Sequence, residues 1–216
     1  MRRITLFCGH YGSGKTNIAV NYAFYIRSKG FKTAIVDLDI VNPYFRTKDS
    51  EKELEKCGIR VISLPFANSN VDLPSIPSES YSVFSNKDEY AVFDIGGDDS
   101  GAYVLGQFEP YIKAEKDFDN FYVANFSRPL TRNAEEALGV MREIELAGKV
   151  PFTGIINNTN LGEETEINDI LLSNGEALRL SKISNLPLVM TTVREDLAKD
   201  VKAENIFPLK LQKKYW

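Results

Sequence analysis

The residues whose types and spacing carry the clearest chemistry lie in one stretch near the start of the chain. They fit the pattern G-x-x-x-x-G-K-[ST] at every specified position, and the stretch reads Gly9-His10-Tyr11-Gly12-Ser13-Gly14-Lys15-Thr16. A loop of this kind wraps backbone N–H groups around phosphate oxygens, and its lysine adds an ammonium charge. We therefore predict that residues 9–16, with Asn17 beside them, bind the phosphates of a nucleotide.

This pattern is informative when it joins a strand to the start of a helix, and the flanking sequence meets that condition. A short apolar run from Ile4 to Cys8 precedes the loop, and a helical pattern from Thr16 to Ser28 follows it. The positive end of the helix dipole then faces the phosphates. The Thr16 hydroxyl is placed to bind Mg²⁺, which prefers oxygen ligands. We expect Lys15 to be exposed to solvent in the empty protein.

Carboxylates follow two other apolar runs. The second predicted strand ends in Val36-Asp37-Leu38-Asp39, and the fourth ends in Asp94-Ile95-Gly96-Gly97. Because the carboxyl ends of parallel strands meet at one edge of a sheet, both should lie beside the phosphate loop. An aspartate there serves magnesium, and a following glycine offers its N–H to the terminal phosphate. We predict a magnesium site at Thr16, Asp39 and Asp94, with Gly97 against the phosphate.

The elements that must position these residues follow from the hydrophobic pattern. Apolar runs alternate with amphipathic stretches, which is typical of a parallel sheet covered on both faces. We predict strands at 3–8, 32–37, 59–64, 90–94, 120–126, 152–157 and 187–193. Helices are predicted at 15–29, 48–57, 100–116 in two pieces around Pro110, 131–147 and 163–183. The fold class is α/β, a doubly wound, mostly parallel sheet of about seven strands with helices on both faces, in one domain over 1–216.

Composition narrows the function further. The chain has 216 residues, of which 43% are hydrophobic, and a formal net charge of −4. Its lysines and arginines are scattered, so no basic face argues for nucleic acid. Cys8 and Cys57 form neither a C-x-x-C pair nor a metal-ligand spacing, and reduced thiols fit a cytoplasmic protein. No apolar run approaches the length of a membrane span, so a membrane is not expected as a partner.

Together the motifs resemble those of the MinD, ParA and CobQ/CobB family of P-loop nucleotide-binding proteins, in the SIMIBI class. The matching pieces are residues 9–16, Asp37-Leu38-Asp39-Ile40, Asp94-Ile95-Gly96-Gly97 and Ile155-Ile156-Asn157-Asn158. The resemblance implies that Asp39 orients the attacking water, that Asp94 serves magnesium and that Asn157 contacts adenine. Lys15 would stabilise charge on the transferring phosphate.

One position departs from the family. Members that act as nucleotide-bridged dimers carry a signature lysine directly after the first loop glycine, and this chain has His10 there. Histidine is shorter than lysine and mostly uncharged near neutral pH, so it replaces the lysine poorly. We expect that any homodimer does not form through the signature-lysine sandwich. Dethiobiotin synthetase-like members also lack that lysine and remain active.

The base can be weighed by its hydrogen bonds. GTP-binding relatives use Asn-Lys-x-Asp, in which the last carboxylate accepts both guanine donors, whereas this chain reads Asn157-Asn158-Thr159-Asn160. Asparagine presents an NH₂ group against those donors. The sequence therefore favours adenine, with ATP or ADP and Mg²⁺ as cofactors.

The function predicted from the sequence is that of an ATPase that binds Mg²⁺–ATP and hydrolyses it slowly. Hydrolysis would switch segments 39–48 and 94–101 between two states and so control contact with an unidentified partner protein. One alternative is a ligase or kinase of the dethiobiotin synthetase or CobB type, acting on a small carboxylate metabolite under a loop at 65–77. Another is a regulatory module without turnover. Phosphate release that depends on an added metabolite would favour the ligase or kinase.

Three further features of the sequence have a functional and a simpler structural interpretation. Arg46, Arg128 and Arg132 are candidates to reach phosphate, although exposed loop arginines are commoner. The apolar and basic tail at 207–216 is interpreted as a final strand or clamp across the sheet rather than a membrane anchor. His10 is interpreted as a loop residue facing the nucleotide rather than a catalytic base.

Overall fold

The computed structural model describes residues 1–39, 47–63, 76, 78–97 and 99–212. Its strands are β1 Ile4–Cys8, β2 Lys32–Leu38, β3 Ile59–Ser63, β4 Glu89–Ile95, β5 Phe118–Ala124, β6 Gly154–Asn157, β7 Leu188–Arg194 and β8 Ile206–Leu209. Its α-helices are α1 Lys15–Ser28, α2 Glu51–Lys56, α3 Glu79–Ser85, α4 Asp99–Glu115, α5 Ala134–Gly148 and α6 Ile167–Ser184. Short 3₁₀ turns cover Thr47–Ser50 and Gly162–Glu164.

All eight strands form one sheet in the order β3-β2-β4-β1-β5-β6-β7-β8, and every neighbouring pair is parallel. The phosphate loop follows β1, which lies between β4 and β5. In parallel sheets, ligands bind beyond the carboxyl ends of the strands, where the order reverses. The ends of β1, β2, β4 and β6 therefore meet at the edge that carries the predicted site.

The core has one hydrophobic layer on each face of the sheet. One layer packs side chains of α1 and α2 against Phe7, Ile35 and Val92. The other packs α3, α4, α5 and part of α6 against alternate strand residues such as Leu6 and Phe93. Strands covered on both faces have no polar face, which explains why β1, β2 and β4 read as nearly continuous apolar runs.

The predicted fold class is confirmed, because the structure is an α/β sheet covered by helices on both faces. Every predicted strand is present within about two residues, an uncertainty typical of element ends. The sheet has eight strands rather than about seven, since the tail supplies β8 at its edge. A strand in the tail was one of the two arrangements expected there.

One helix prediction was wrong, and one helix was missed. Pro110 does not divide α4, which runs as one helix from Asp99 to Glu115. Phe108 and Ile112, on either side of the proline, are fully buried in the core, and this packing outweighs the hydrogen bond that proline cannot make. The short helix α3 was not predicted, because its serine-rich sequence has no amphipathic period and no side chain caps its start. No helix in the described ranges is long and apolar enough to cross a membrane.

Candidate nucleotide-binding site

The loop backbone requires glycine at specific positions. Gly12 and Gly14 have φ angles of +76° and +86°, in the left-handed region that favours glycine. A Cβ atom on Gly14 would collide with the side-chain amide of Asn158, and one on Gly9 would lie 2.5 Å from the Val123 carbonyl oxygen. The glycines of the motif therefore let the loop turn tightly and approach its neighbours closely.

The last two residues of the loop, Lys15 and Thr16, begin α1 and are buried. Lys15 is 5% exposed and Thr16 is 6% exposed, so the expectation of a solvent-exposed Lys15 was wrong. The Lys15 ammonium turns back into the loop and donates to the His10 carbonyl at 3.3 Å. No side chain caps the start of α1. The helix thus begins at the loop with backbone N–H groups that an anion can accept from.

Two aspartates lie side by side at the acidic edge of the site. Asp37 on β2 is paired in register with Asp94 on β4. Asp94 is completely buried, and one carboxylate oxygen accepts from the Thr47 hydroxyl at 3.4 Å. Its other oxygen, Oδ1, has no hydrogen-bond partner among the described residues. A buried carboxylate oxygen left without a donor is costly, unless another group such as a cation satisfies it.

The surroundings of Asp94 also set its proton affinity. Burial raises the pKa of the Asp94 carboxyl well above its usual range, and the nearby Asp37 and Asp39 carboxylates raise it further. The Lys15 ammonium and the Thr16 hydroxyl act in the opposite direction. A divalent cation at this place would replace the proton and relieve the repulsion among the three carboxylates.

The oxygen atoms at this edge are of the type that Mg²⁺ binds. Carboxylate and hydroxyl oxygens are the ligands that Mg²⁺ prefers, and it commonly takes one or two from the protein and the rest from phosphates and water. Within the described ranges, no group of three or more His, Cys, Asp and Glu side chains could hold a metal by itself. Magnesium in this site would complete its shell with oxygens of phosphate or water.

Asp39 and Gly97 lie at the same edge. The backbone N–H of Asp39 donates to an Asp37 carboxylate oxygen at 3.0 Å, and Asp39 lines the cavity described below. The Gly97 carbonyl accepts from the Tyr11 backbone N–H at 3.1 Å. A Cβ on Gly97 would lie 2.7 Å from the Lys15 ammonium nitrogen. Gly97 is therefore in direct contact with the loop, as a residue next to the terminal phosphate must be.

The other end of the site differs from the sequence prediction. Asn157 is buried, with its amide donating to the Ser173 hydroxyl at 3.0 Å and its carbonyl oxygen accepting from Thr159 at 2.8 Å. The next residue, Asn158, donates to the Ser13 carbonyl at 2.6 Å and accepts from the Thr192 hydroxyl. The structure thus places Asn158, rather than Asn157, against the phosphate loop.

A cavity of about 290 Å³ connects these groups. Its walls come from the loop, α1, the end of β2 and the segments after β5, β6 and β8, and they include Tyr11, Gly12, Gly14, Lys15, Thr16, Asn17, Asp39, Arg128, Asn158, Asn160, Glu163, Leu211 and Gln212. The predicted loop residues Tyr11, Gly12, Gly14, Lys15, Thr16 and Asn17 therefore lie together around one space. Gly9, His10, Ser13, Gly97, Asp94 and Asn157 are not part of its wall.

Some lining residues were missed or undervalued from the sequence. The Arg128 guanidinium donates through Nε to the Gly12 carbonyl at 2.9 Å, so this arginine belongs to the site. Leu211 and Gln212 carry no motif, and no sequence signal identified them as part of the site. Arg132 is not in the cavity wall, whereas Arg46 and residues 65–75 lie outside the described residues. Among the described residues, the His10 side chain bonds to its own loop, through Nδ1 to the Tyr11 carbonyl at 3.0 Å.

No family model and no curated protein matches the sequence. Solved structures do match the fold. The cell division protein FtsY from Thermotoga maritima shares 18% identity at a TM-score of 0.63, covering 96% of this chain and 65% of that one. The 54 kDa signal recognition particle protein from Aeropyrum pernix, in complex with GDP, shares 17% identity at a TM-score of 0.54, covering 86% and 40%.

A third structure is the signal recognition particle receptor FtsY from Elizabethkingia anophelis in complex with GDP. It shares 14% identity at a TM-score of 0.53, covering 89% of this chain and 58% of that one. The chain thus spans less than two thirds of the length of these structures. At such identities the likeness establishes the fold alone, a parallel α/β sheet covered by helices that this chain shares with these structures. It does not decide whether the chain is of the MinD or ParA type.

Proposed function

We propose that this chain binds a Mg²⁺–nucleoside triphosphate in the cavity and hydrolyses it slowly, as a nucleotide-dependent switch. The observation that carries the proposal is the buried Asp94 oxygen without a partner, set beside Thr16 and the ammonium of Lys15. A buried carboxylate with two carboxylate neighbours is a poor structural choice unless a cation joins it. The phosphate loop follows β1, the strand next to β4, and would bring the nucleotide phosphates to the same cation.

Binding would follow from the loop geometry. The N–H groups at the start of α1 and the Lys15 ammonium would meet the phosphate oxygens. Thr16 and Asp94 would hold Mg²⁺, which when bound neutralises the charge that develops on the transferring phosphate. The Arg128 guanidinium, anchored to Gly12, would place a further positive charge beside the phosphates.

Hydrolysis would depend on Asp39. This carboxylate lines the cavity, and its backbone is fixed to Asp37. We assign it the role of orienting the attacking water. A group of this kind contributes about 10²- to 10⁴-fold to the rate. Asp39→Asn should therefore keep nucleotide affinity and lose phosphate release by at least about a hundredfold.

We propose adenine as the base. Asn158 and Asn160 line the cavity with carboxamides, each of which has one acceptor oxygen and an NH₂ group, so neither offers the pair of acceptors that the two guanine donors require. We transfer the base contact from Asn157 to Asn158, because only the latter lines the cavity. Asn158→Ala should weaken ATP binding, whereas Asn157→Ala should act mainly on stability.

Guanine is the second candidate, and two observations favour it. Glu163 lines the cavity and brings a carboxylate that could accept both guanine donors. Two structures with the same fold hold GDP. If guanine is the base, Glu163→Gln should abolish a preference for GTP over ATP. If adenine is the base, the variant should leave the preference for ATP unchanged.

The output would be a contact with a partner protein. Helix α4 begins at Asp99, two residues after Gly97, which touches the loop. It exposes the aromatic rings of Tyr103 and Tyr111 to solvent. A shift at the phosphate end would therefore reach a surface suited to a partner. Phosphate release by the purified chain alone would favour the switch over a ligase or kinase that needs a small carboxylate.

The deciding experiment is calorimetry of the native protein with ATP and with GTP, each with Mg²⁺ and with EDTA. We expect tight binding of one nucleotide that weakens at least tenfold without Mg²⁺. Lys15→Ala should lose binding, and a retained melting temperature would show that it is folded. Equal affinity in Lys15→Ala, or no binding by the native protein, would overturn the proposal.

A further inference from the structure

The segment that follows β8 is fastened to the helix that carries the phosphate loop. Asn21 of α1 exchanges two hydrogen bonds with the Lys210 backbone, its Oδ1 accepting from N–H and its Nδ2 donating to the carbonyl, both at 2.9 Å. One turn earlier, Oδ1 of Asn17 accepts from the Gln212 backbone N–H at 3.2 Å. The two asparagine side chains thus make hydrogen bonds to the backbone of Lys210–Gln212 that a neighbouring strand would make in a sheet. We call this segment the strap.

Ring packing holds the strand before the strap to the same helix. Phe207 of β8 lies with its ring centroid 6.0 Å from that of Tyr22 and 5.8 Å from that of Tyr25. Aromatic pairs at these separations add to the stabilisation from apolar burial. The strap therefore has a fixed position relative to α1, whose first residues are Lys15 and Thr16.

From that position, the strap reaches two places at once. Leu211 and Gln212 line the nucleotide cavity next to Asn17. The side-chain amide of Gln212 also donates to the Ser50 hydroxyl at 2.9 Å. Ser50 ends the short turn Thr47–Ser50, and Thr47 at its start donates to Asp94. A chain of contacts thus runs from the cavity wall to the aspartate assigned to magnesium.

We propose that the strap closes one side of the nucleotide cavity and that Gln212 is a positioning residue. Gln212 holds the turn Thr47–Ser50 in place. Thr47 then bonds one carboxylate oxygen of Asp94 and leaves the other oxygen for Mg²⁺. This inference rests on the proposed function. Since Gln212 acts through Ser50 and Thr47, its removal should weaken the magnesium-dependent part of nucleotide affinity. The part measured in EDTA, which depends on the loop and Lys15, should hardly change.

The test is a double-mutant cycle on the full chain with Gln212→Ala, Ser50→Ala and the double variant. Each single variant should bind the Mg²⁺–nucleotide about 3- to 10-fold more weakly, as expected for one hydrogen bond, and Ser50→Ala, which lies outside the cavity wall, should change less than twofold in EDTA. The double variant should be no weaker than either single one, because both remove the same contact. Lys210→Gln is the matched control, since the bonds that Lys210 makes to Asn21 come from its backbone and the substitution keeps them.

Hydrogen exchange gives a second, independent readout. Binding of the Mg²⁺–nucleotide should slow exchange at the Lys210 and Gln212 amides of the native protein, because the ligand would pack against the strap. Additive losses in the cycle, or amides whose exchange the nucleotide leaves unchanged, would overturn the strap proposal while native binding stands. Native protein that binds no nucleotide would instead overturn the proposed function.

Discussion

Asp94 shows how much a single residue can reveal about a site. Its carboxylate is fully buried beside two other aspartates, and one oxygen has no partner in the described part of the chain. Such an arrangement costs free energy in the empty protein and becomes favourable only with a cation. We therefore expect Asp94 to lower the free energy of unfolding of the empty protein and to raise its affinity for the Mg²⁺–nucleotide.

Replacing Asp94 by asparagine tests this expectation. The pKa of Asp94 is higher in the folded protein than in the unfolded chain. The free energy of unfolding of the nucleotide-free protein therefore falls as pH rises and Asp94 ionises, and this loss is absent at low pH. Asp94→Asn should therefore melt at a higher temperature than the native protein, with a larger difference at pH 8 than at pH 5. Its Mg²⁺–nucleotide affinity should fall at least about tenfold. A lower melting temperature at pH 8 would contradict the explanation.

The two cysteines provide a second test at the residue scale. Cys8 ends β1 immediately before the loop, and burial raises the pKa of its thiol to about 12, whereas Cys57 is exposed. Only a thiolate reacts with disulfide reagents. We expect one reactive thiol per native chain up to pH 9 and two after unfolding. Cys57→Ser should show none in the native state, and rapid labelling of that variant would contradict the buried position of Cys8.

At the scale of elements, the connection from β4 to α4 links the phosphate end of the site to the surface. Gly97 touches the loop, and a Cβ on Gly101 would collide with the Gly96 carbonyl. The close approach of Gly101 to Gly96 therefore ties the start of α4 to the residue after β4, and the contact of Gly97 ties the same connection to the loop. A displacement at the loop should be transmitted into α4 rather than absorbed by the connection.

Gly97→Ala tests the contact with the loop. The φ of Gly97 is not in the left-handed region, so any effect would come from contact alone, the added methyl lying 2.6 Å from the Tyr11 nitrogen. Calorimetry should show nucleotide affinity reduced about tenfold or more as the loop and Lys15 shift. Gly139→Ala in α5 is the matched control, because a Cβ there meets nothing within 4 Å. It should leave affinity unchanged and stabilise α5 by up to about 1 kcal/mol.

At the scale of the whole molecule, the open question is how two chains would meet. His10 follows the first loop glycine and bonds within its own loop. An imidazole is shorter than a lysine side chain and gives no ammonium to a partner's phosphates, and a symmetric dimer would lose that contact twice. We therefore expect the chain not to use a lysine-bridged nucleotide sandwich.

Light scattering with a hydrolysis-resistant nucleotide and Mg²⁺ tests this expectation. The native protein should remain largely monomeric, and His10→Lys should shift the equilibrium toward a dimer, since each charge-assisted contact contributes about 1.5–3 kcal/mol. A tight nucleotide-dependent dimer of the native protein at pH 8 that His10→Ala disrupts would show that neutral histidine is itself the contact between chains.

The sequence by itself determined the features that depend on neighbouring residues. The loop at 9–16, its place between β1 and α1, and the aspartates at the ends of β2 and β4 follow from short patterns whose local geometry is nearly fixed. The alternation of apolar runs and helices also predicted the layered sheet. The sequence did not predict the short helix α3, because seven residues are too few to show the helical period of apolar residues.

Only the tertiary structure decided the features that depend on register and on distant segments. Whether Asn157 or Asn158 faces the cavity is a one-residue choice, made by how β6 pairs with its neighbours and not by residue type. Lys15 is buried because the loop folds back over it, and Gln212 reaches Asn17 across 195 residues of sequence. Such contacts carry no local signal, since packing of the whole sheet, rather than any short pattern, brings the segments together.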